Sequence, residues 1–412
     1  MTGSAGFDII RAMNELPRIY TEIVRRHLTA DRQMVFVSGP RQVGKTTLCE
    51  GFQDFYLNWD KSDQRAIILK GESAVMEFAG GDRPRERQPV LTFDELHHFK
   101  KWKGFLKGFF DLYWKKIKVL VTGSARLNVY KKGGDSLMGR YFPYRMHPFT
   151  VGELLHPRLA ETEIWQESSE LDETKWNRLL EFGGFPEPFV KGDRLFLRKW
   201  RRLRFEQLMR DDIRKDTNIR ELDQLESMAL ILSERSGEQL VFAALGNEVQ
   251  VNEVTVRNWV SVLNSFYFGF LVRPWSTHVE NTIRKTPKWY LRDWSGVADI
   301  GKRNETMVAC HLLKAVEYWT DTGFGEYGLY YLRDKQKHEV DFLVSRDKKP
   351  WFLVEVKTAD TKLSPELARF QRQTGAEHAF QVVFDIPYEK LDCFAYTEPV
   401  VVPAKTFLGA LA

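Results

Sequence analysis

Two short segments within the first hundred residues place glycine, lysine, threonine and paired acids at spacings that suit phosphate chemistry. Residues 39–46 fit the pattern G-x-x-x-x-G-K-[ST], and they follow an apolar stretch, Met34–Val37. In such a loop backbone N–H groups wrap a phosphate, Lys45 reaches the outer phosphates, and Thr46 offers a hydroxyl to Mg²⁺. The predicted ATP site consists of Gly39, Pro40, Arg41, Gln42, Val43, Gly44, Lys45, Thr46 and Thr47.

A pair of acids follows the next apolar stretch. Val90–Phe93 is typical of a buried strand, and Asp94 and Glu95 come directly after it. Because the carboxyl ends of parallel strands meet at one edge of a sheet, we predict that Asp94 lies beside Thr46 and helps to hold Mg²⁺. Glu95 would orient and deprotonate the attacking water, which favours hydrolysis over passive nucleotide binding.

Two further residues are predicted near the same edge. Ser124 follows the apolar stretch Lys118–Thr122, and we expect it to contact the γ-phosphate or the water. Arg140 precedes a predicted fifth strand, where an arginine can stabilise transition-state charge on a neighbouring subunit's nucleotide. A surface or ion-paired arginine is the alternative. The predicted catalytic residues are Lys45, Asp94, Glu95, Ser124 and Arg140.

A second constellation of acids and a lysine lies near the C-terminus. Asp341 and Glu355 are separated by 13 residues on adjacent predicted strands, and Lys357 faces the same side as Glu355. This spacing resembles the PD-(D/E)xK nucleases, which implies that both carboxylates bind Mg²⁺ and that the lysine positions or activates water. The resemblance adds Glu305 on the preceding helix and Gln371 on the following one. The alternative is a nuclease fold kept as a DNA-binding or oligomerisation platform.

The elements that must position these residues alternate along the chain. Helical stretches, such as Trp102–Trp114 and a predicted helix over Leu48–Phe55, separate the apolar strands and indicate a parallel, doubly wound sheet. Residues 160–235 have helical spacing with few strand signals. After about residue 290, helices and strands alternate again.

A helix-turn-helix with a wing is predicted between these regions. Glu238–Gly246 and Asn252–Ser265 are two short helices around a turn, and the strand-like Phe266–Pro274 follows them. Thr255, Arg257 and Asn258 lie near the start of the second helix, where a major groove would be met. Protein contacts are the alternative use of this element. The basic residues of the wing and beyond that suit phosphates are Arg273, Arg284, Lys285 and Lys288.

Composition narrows the class of protein. The chain has 412 residues, 43% of them hydrophobic, which excludes a disordered protein. No apolar run reaches the roughly 18 residues of a membrane helix, and three cysteines fit neither a disulfide framework nor a zinc cluster. We therefore expect a cytoplasmic protein without a membrane partner. The net charge of +5 permits a nucleic-acid partner, and a strip of basic residues at 194–210 suits phosphate contact.

The motifs together resemble a known family: prokaryotic AAA+ P-loop ATPases with a C-terminal winged helix and a restriction-endonuclease-like domain. The resemblance implies an α/β fold, with an AAA+ P-loop domain built on a parallel sheet, a helical lid, a winged helix and a C-terminal nuclease-like α/β domain. The matching segments are residues 39–47, 56–60, 92–95, 122–127, 137–140 and 148–154. The implied domains are residues 1–158, 159–230, 231–290 and 291–412.

Three hypotheses for function follow. The first is an ATP-hydrolysing, DNA-binding motor or switch with ATP and Mg²⁺ as cofactors. It would form a homo-oligomer, possibly a hexamer, and act on duplex or branched DNA through the winged helix and the nuclease-like domain. The second is an ATP-gated, metal-dependent DNA endonuclease. The third is a regulatory or defence ATPase switch with a protein partner.

Overall fold

The computed structural model describes residues 16–81, 83, 85–123, 137–166, 169–214, 217, 219–276 and 286–412. These residues form two compact units, one ending at His147 and the other beginning at Pro148. Within the described ranges, no helix is both long and apolar enough to cross a bilayer.

The first unit is a five-stranded parallel sheet with helices. Its strands lie in the order β2-β3-β4-β1-β5, so that β1 is flanked by two strands that come later in the chain. The elements are α1 (Ile19–Ala30), β1 (Met34–Ser38), α2 (Lys45–Glu50), β2 (Phe55–Asn58), α3 (Ser62–Leu69), α4 (Glu72–Phe78), β3 (Val90–Asp94), a 3-10 turn (Leu96–His98), α5 (Trp102–Tyr113), β4 (Lys118–Gly123) and β5 (Tyr141–Arg145).

The core of this unit explains the alternation of aromatic and lysine residues around α5. Phe105, Leu106 and Phe109 are buried, and the rings of Phe105 and Phe109 meet the edge of Phe93 on β3 at centroid distances of 5.7 and 5.8 Å. Such edge-to-face contacts add to the burial of apolar area. The aromatic face of α5 thus fixes the strand that ends at Asp94.

The helix predicted over Leu48–Phe55 is wrong in its second half. Helix α2 ends at Glu50, and Phe55 begins β2. The reason is the pairing with β3. The amide of Asp54 donates to the carbonyl of Val90 at 2.9 Å, and its carboxylate accepts from the Val90 amide at 2.8 Å. This reciprocal bonding starts a parallel strand where the local sequence favours a helix.

The second unit begins with helices and ends in a mixed sheet. Its helical part contains α6 (Val151–Leu155), α7 (Glu173–Phe182), α8 (Pro186–Lys191), α9 (Arg194–Gln207) continuing into a π-helical turn (Leu208–Ile213), α10 (Leu222–Glu234), α11 (Phe242–Val249) and α12 (Glu253–Ser265). The elements after these are β6 (Gly269–Pro274), β7 (Lys288–Leu291), α13 (Ile300–Asp321), β8 (Tyr327–Arg333), β9 (Glu339–Arg346), β10 (Lys349–Lys357), α14 (Pro365–Thr374), β11 (His378–Val383), β12 (Val400–Pro403) and α15 (Ala404–Gly409).

The seven strands of this unit form one sheet in the order β12-β11-β10-β9-β8-β6-β7. Strands β8, β9 and β10 are an antiparallel meander, and β11 lies parallel to β10 after the crossover through α14. Strand β6, predicted as a wing over 266–274, pairs with β7 and joins this sheet through parallel pairing with β8. The predicted domain boundary at residue 290 therefore falls inside β7.

Candidate functional sites

The loop between β1 and α2 has the backbone that a phosphate cradle requires. Gly44 has φ +101° and Gln42 has φ +62°, so the chain turns through left-handed conformations just before α2. A Cβ on Gly39 would lie 2.3 Å from the carbonyl oxygen of Met146, so only glycine fits there. These positions explain the glycines of the motif.

Lys45 lies inside this loop. Its Nζ donates to the carbonyls of Gly39 at 2.9 Å and Pro40 at 2.8 Å. Burial lowers the pKa of Lys45 to about 8, although Glu95 and Asp94 oppose the shift. The ammonium thus lies where a bound phosphate would replace the carbonyl partners.

Asp94 ends β3 within a polar cluster. Its Oδ2 accepts from Tyr56 at 2.6 Å and lies 3.4 Å from Thr46 Oγ1, and its Oδ1 accepts from Thr122. Asn58, opposite Asp94 in the register of β2 and β3, reaches Oδ2 at 3.4 Å. The structure thus brings Asp94 and Thr46 together. Tyr56 and Asn58 had no predicted role here, because they lie on β2, a strand that the sequence does not predict.

Glu95 adopts an unusual backbone conformation, with φ +52°. Non-glycine residues with positive φ concentrate at functional sites. Its Oε2 lies 3.3 Å from Nδ1 of His97. Burial raises the pKa of Glu95, against the effect of the Lys45 charge. One ligand atom each from Glu95, His97 and His98 lie within 4.8 Å of one another, close enough to share a metal ion.

Of the remaining predicted catalytic residues, the structure describes Arg140 but not Ser124. Arg140 forms a two-pronged ion pair with Asp111 of α5, at 2.8 Å from Nε and 2.9 Å from Nη2. This pair lowers the pKa of Asp111. Ser124, together with Arg284 and Lys285, lies outside the described residues.

The C-terminal acids come together across α13, β9 and β10. Asp341 Oδ2 accepts from the Val356 amide at 2.9 Å, and Glu355 Oε1 accepts from Lys357 Nζ at 2.7 Å. Glu355 Oε2 is buried without a hydrogen-bond partner among the described residues. Burial and the charge of Asp341 raise the pKa of Glu355 to about 7. Gln371 instead donates to the carbonyls of Ala376 and Thr397.

Lys288 corrects a sequence prediction. It was expected to face DNA phosphates, but it is only 4% exposed, because β7 lies within the sheet. Its Nζ is 3.1 Å from Glu305, 2.5 Å from Glu339 and 3.5 Å from Asp341. Burial would lower the pKa of Lys288, but Tyr290 and the three acids raise it well above its usual range.

Glu305 is held from two sides in this cluster. Its Oε1 accepts from Lys288 and from Tyr290 at 2.6 Å. Burial raises the pKa of Glu305 to about 7, and the charge of Asp341 adds to the shift. Lys288, Tyr290 and Glu339 had no predicted role in this cluster. The available signal for Glu339 was its position two residues before Asp341, on the same face of β9.

The predicted DNA-contacting residues lie on α12. Thr255 is half-buried, and Arg257 and Asn258 are exposed. Arg257 is engaged within the helix: its guanidinium bonds Glu253 and lies 4.2 Å from the ring of Phe242. The structure therefore presents Asn258 more freely than Arg257.

The comparisons with known proteins address the first unit most directly. Residues 31–155 match the family model of the AAA domain. With the parallel sheet and the phosphate loop, this match supports an AAA-like P-loop ATPase domain. Residues 173–301 and 300–396 match two domains of unknown function, DUF8612 and DUF4143.

Two particular proteins are similar to this chain. The uncharacterized protein MJ1637 of Methanocaldococcus jannaschii is 22% identical over 303 residues, covering 66% of this chain and 63% of the relative. The chain thus spans less than two thirds of that relative's length. A structure of PCH-2 from C. elegans is 12% identical, covers 64% of this chain and 69% of its own, and superposes with a TM-score of 0.24, too low to relate the folds.

Proposed function

We propose that this protein is an ATP-hydrolysing switch that acts on DNA and works as a homo-oligomer. The observation that carries the proposal is the convergence of Lys45, Thr46, Asp94 and Glu95 at the carboxyl ends of β1 and β3. This is the edge of an open α/β sheet where ligands bind.

Each residue has a distinct task at this site. The loop amides and the Lys45 ammonium bind the phosphates of ATP, which is the substrate. Thr46 and Asp94 fit Mg²⁺, which when bound neutralises phosphate charge. Tyr56 and Thr122 hold the Asp94 carboxylate in place by donating to its two oxygens. Glu95 accepts the proton of the attacking water, and burial, which raises its pKa, makes the carboxylate a stronger base for that task.

The proposed DNA partner rests on the surface of α9. Arg198, Lys199 and Arg202 are exposed on this helix, at spacings of three and four residues that keep Arg198 and Arg202 on one face. A basic strip of this kind attracts phosphates without reading sequence. We assign the main electrostatic contribution to α9 because Arg198 and Lys199 are exposed there beside Arg202, which pairs with Glu206 as Arg257 of α12 pairs with Glu253.

The test is ATP turnover by the purified full chain with Mg²⁺ at low salt, alone and with single-stranded, duplex or four-way-junction DNA. We expect Lys45→Ala to abolish turnover, while Lys70→Ala, a change at an exposed lysine of the same unit, leaves it intact. Turnover that survives Lys45→Ala would overturn the ATPase assignment.

The proposed DNA partner is tested by whether DNA changes the rate of ATP turnover. Stimulation by one DNA form supports the proposed partner, and loss of that stimulation in Lys199→Ala would locate the contact on α9. Lys348→Ala, at an exposed lysine of the same unit, is the matched control. Turnover that ignores every DNA would contradict the DNA partner and favour a switch with a protein partner.

A further inference from the structure

The carboxylate cluster of the second unit already holds a cation of its own. Lys288 Nζ lies within 3.5 Å of carboxylate oxygens from α13 and β9, namely those of Glu305, Glu339 and Asp341. The three acids come from two elements, and the lysine from a third, so the grouping is tertiary rather than local. A buried ammonium between three carboxylates compensates their negative charge, which water or a bound metal ion would otherwise have to stabilise.

The remaining acid of the cluster is also paired. Glu355 Oε1 takes the Lys357 ammonium at 2.7 Å, and Arg333 bonds the second oxygen of Glu339 at 2.5 Å. Every one of the four acids therefore has a cationic neighbour within the protein. Little uncompensated negative charge is left to attract a divalent ion.

Geometry argues in the same direction. Mg²⁺ binds carboxylate oxygens at about 2.1 Å and demands near-octahedral coordination. An ion on Asp341 Oδ1 at that distance would lie within about 6 Å of the Lys288 ammonium, and the two cations would repel each other across a buried, weakly screened site. Asp341 Oδ2 is taken by the Val356 amide. Glu355 Oε2 lacks a hydrogen-bond partner among the described residues, but one such oxygen beside the Lys288 charge does not make the near-octahedral set that Mg²⁺ needs, so the residues present do not fit the metal that the nuclease resemblance implies.

We propose that Lys288 is the resident cation of this cluster, standing in the place of a divalent metal, so that the C-terminal sheet is a metal-independent platform rather than a metal-dependent nuclease. The proposal goes beyond the function of the ATP site and does not depend on it. It explains why a full set of nuclease-like acids sits beside a buried lysine from β7. It also argues against the hypothesis of an ATP-gated, metal-dependent endonuclease.

The test measures Mn²⁺ binding to the nucleotide-free full chain by electron paramagnetic resonance. We expect the unsubstituted protein and Asp341→Asn to bind Mn²⁺ equally, since the cluster binds no metal while Lys288 is present. Lys288→Met removes the charge and keeps the chain length. We expect Lys288→Met to bind Mn²⁺ at least tenfold more tightly than the unsubstituted chain does. The double variant Lys288→Met with Asp341→Asn should lose that increase.

Lys302→Met is the matched control, because Lys302 lies nearby on α13 and pairs with Glu238 outside the cluster. It should leave Mn²⁺ binding unchanged. A folded Lys288→Met variant with unaltered Mn²⁺ affinity would contradict the proposal. If Lys288→Met does not fold, the unsubstituted chain decides: Mn²⁺ binding lost in Asp341→Asn, or Mg²⁺-dependent DNA cleavage lost in Glu355→Gln, would overturn it.

Discussion

Lys45 shows what a single buried residue contributes to the proposed chemistry. The ammonium donates to two loop carbonyls, and burial lowers its pKa. A phosphate would exchange these neutral partners for charged ones. Its protonation state therefore couples the affinity for ATP to pH.

We predict that ATP affinity weakens as pH rises. Burial lowers the pKa of Lys45 to about 8, so the ammonium that pairs with phosphate is present below this pH and is lost above it. At constant salt, affinity should fall toward about tenfold per pH unit above that point. Isothermal titration with ATP across this range checks it. Lys45→Met should bind weakly with little pH dependence, and a flat profile for the unsubstituted protein would contradict the prediction.

Tyr56 supplies a second prediction at the scale of one residue. Burial raises the pKa of Tyr56, and the hydrogen bond to Asp94 raises it further, so the hydroxyl stays a donor to the carboxylate. A hydrogen bond to a charged group contributes about 1.5–3 kcal/mol. We expect Tyr56→Phe to reduce Mg²⁺-dependent ATP turnover about tenfold. Tyr113→Phe, at a half-buried tyrosine of α5, is the control, and equal loss in both variants would show a general effect on the fold.

At the scale of elements, helices α6 and α13 are joined by a fully buried ion pair. Lys314 Nζ donates to Glu153 at 2.5 Å and to the Thr150 hydroxyl at 2.9 Å, and both charged side chains are inaccessible to solvent. Removing one partner of such a pair leaves an uncompensated buried charge. The pair therefore specifies how the N-terminal helix of the second unit packs on its long central helix.

We predict that Lys314→Met lowers the free energy of unfolding by about 3–5 kcal/mol. The double change Lys314→Met with Glu153→Gln should recover part of that loss, because it removes the unpaired charge. Lys302→Met, at a half-buried lysine of α13 outside the ion pair of Lys314, should cost no more than about 1 kcal/mol. Urea unfolding followed by circular dichroism measures all three. A Lys314→Met variant as stable as the unsubstituted chain would contradict the assigned packing.

The sequence predicts elements well where their signal is local. The strands at residues 34–37, 90–93 and 118–122 and the helix at 102–114 are confirmed, because apolar runs and periodicity mark them. Strand β2 was not predicted, since its formation depends on pairing with β3 rather than on its own residues. The same limit applies to Lys288: the sequence predicts a wing at 266–274 and no strand at 288–291, and β7 belongs to the large sheet only through its pairing with β6 and that of β6 with β8.

At the scale of the whole molecule, the sequence predicted the parallel sheet and the phosphate loop but not every partner within the sites. Motif spacing specifies Lys45, Thr46 and Asp94, because Lys45 and Thr46 begin the helix after the phosphate loop and Asp94 is the last residue of β3. Tyr56 and Tyr290 reach their sites through tertiary register, which no local pattern encodes. Function beyond the AAA-like unit thus depends on surfaces that experiment must test.

At the scale of the assembly, we predict that Arg140 acts on the nucleotide of a neighbouring subunit. In the single chain it is paired with Asp111, and we expect that pair to break when Arg140 turns to a neighbour's nucleotide. Arg140→Ala and Lys45→Ala should each lack turnover alone, yet regain part of it when mixed, because each subunit supplies what the other lacks. Steady-state ATPase assays of the mixture measure this. No recovery on mixing, with oligomers present, would contradict action between subunits.

The most direct test of the central claim is hydrolysis by Glu95→Gln. We predict that this variant binds ATP about as tightly as the unsubstituted protein and loses at least about a hundredfold in single-turnover hydrolysis with Mg²⁺, because it removes the proton acceptor alone. Glu50→Gln, at an exposed glutamate at the end of α2, should hydrolyse ATP normally. Hydrolysis by Glu95→Gln at the unsubstituted rate would contradict the assignment of this site as an ATPase centre.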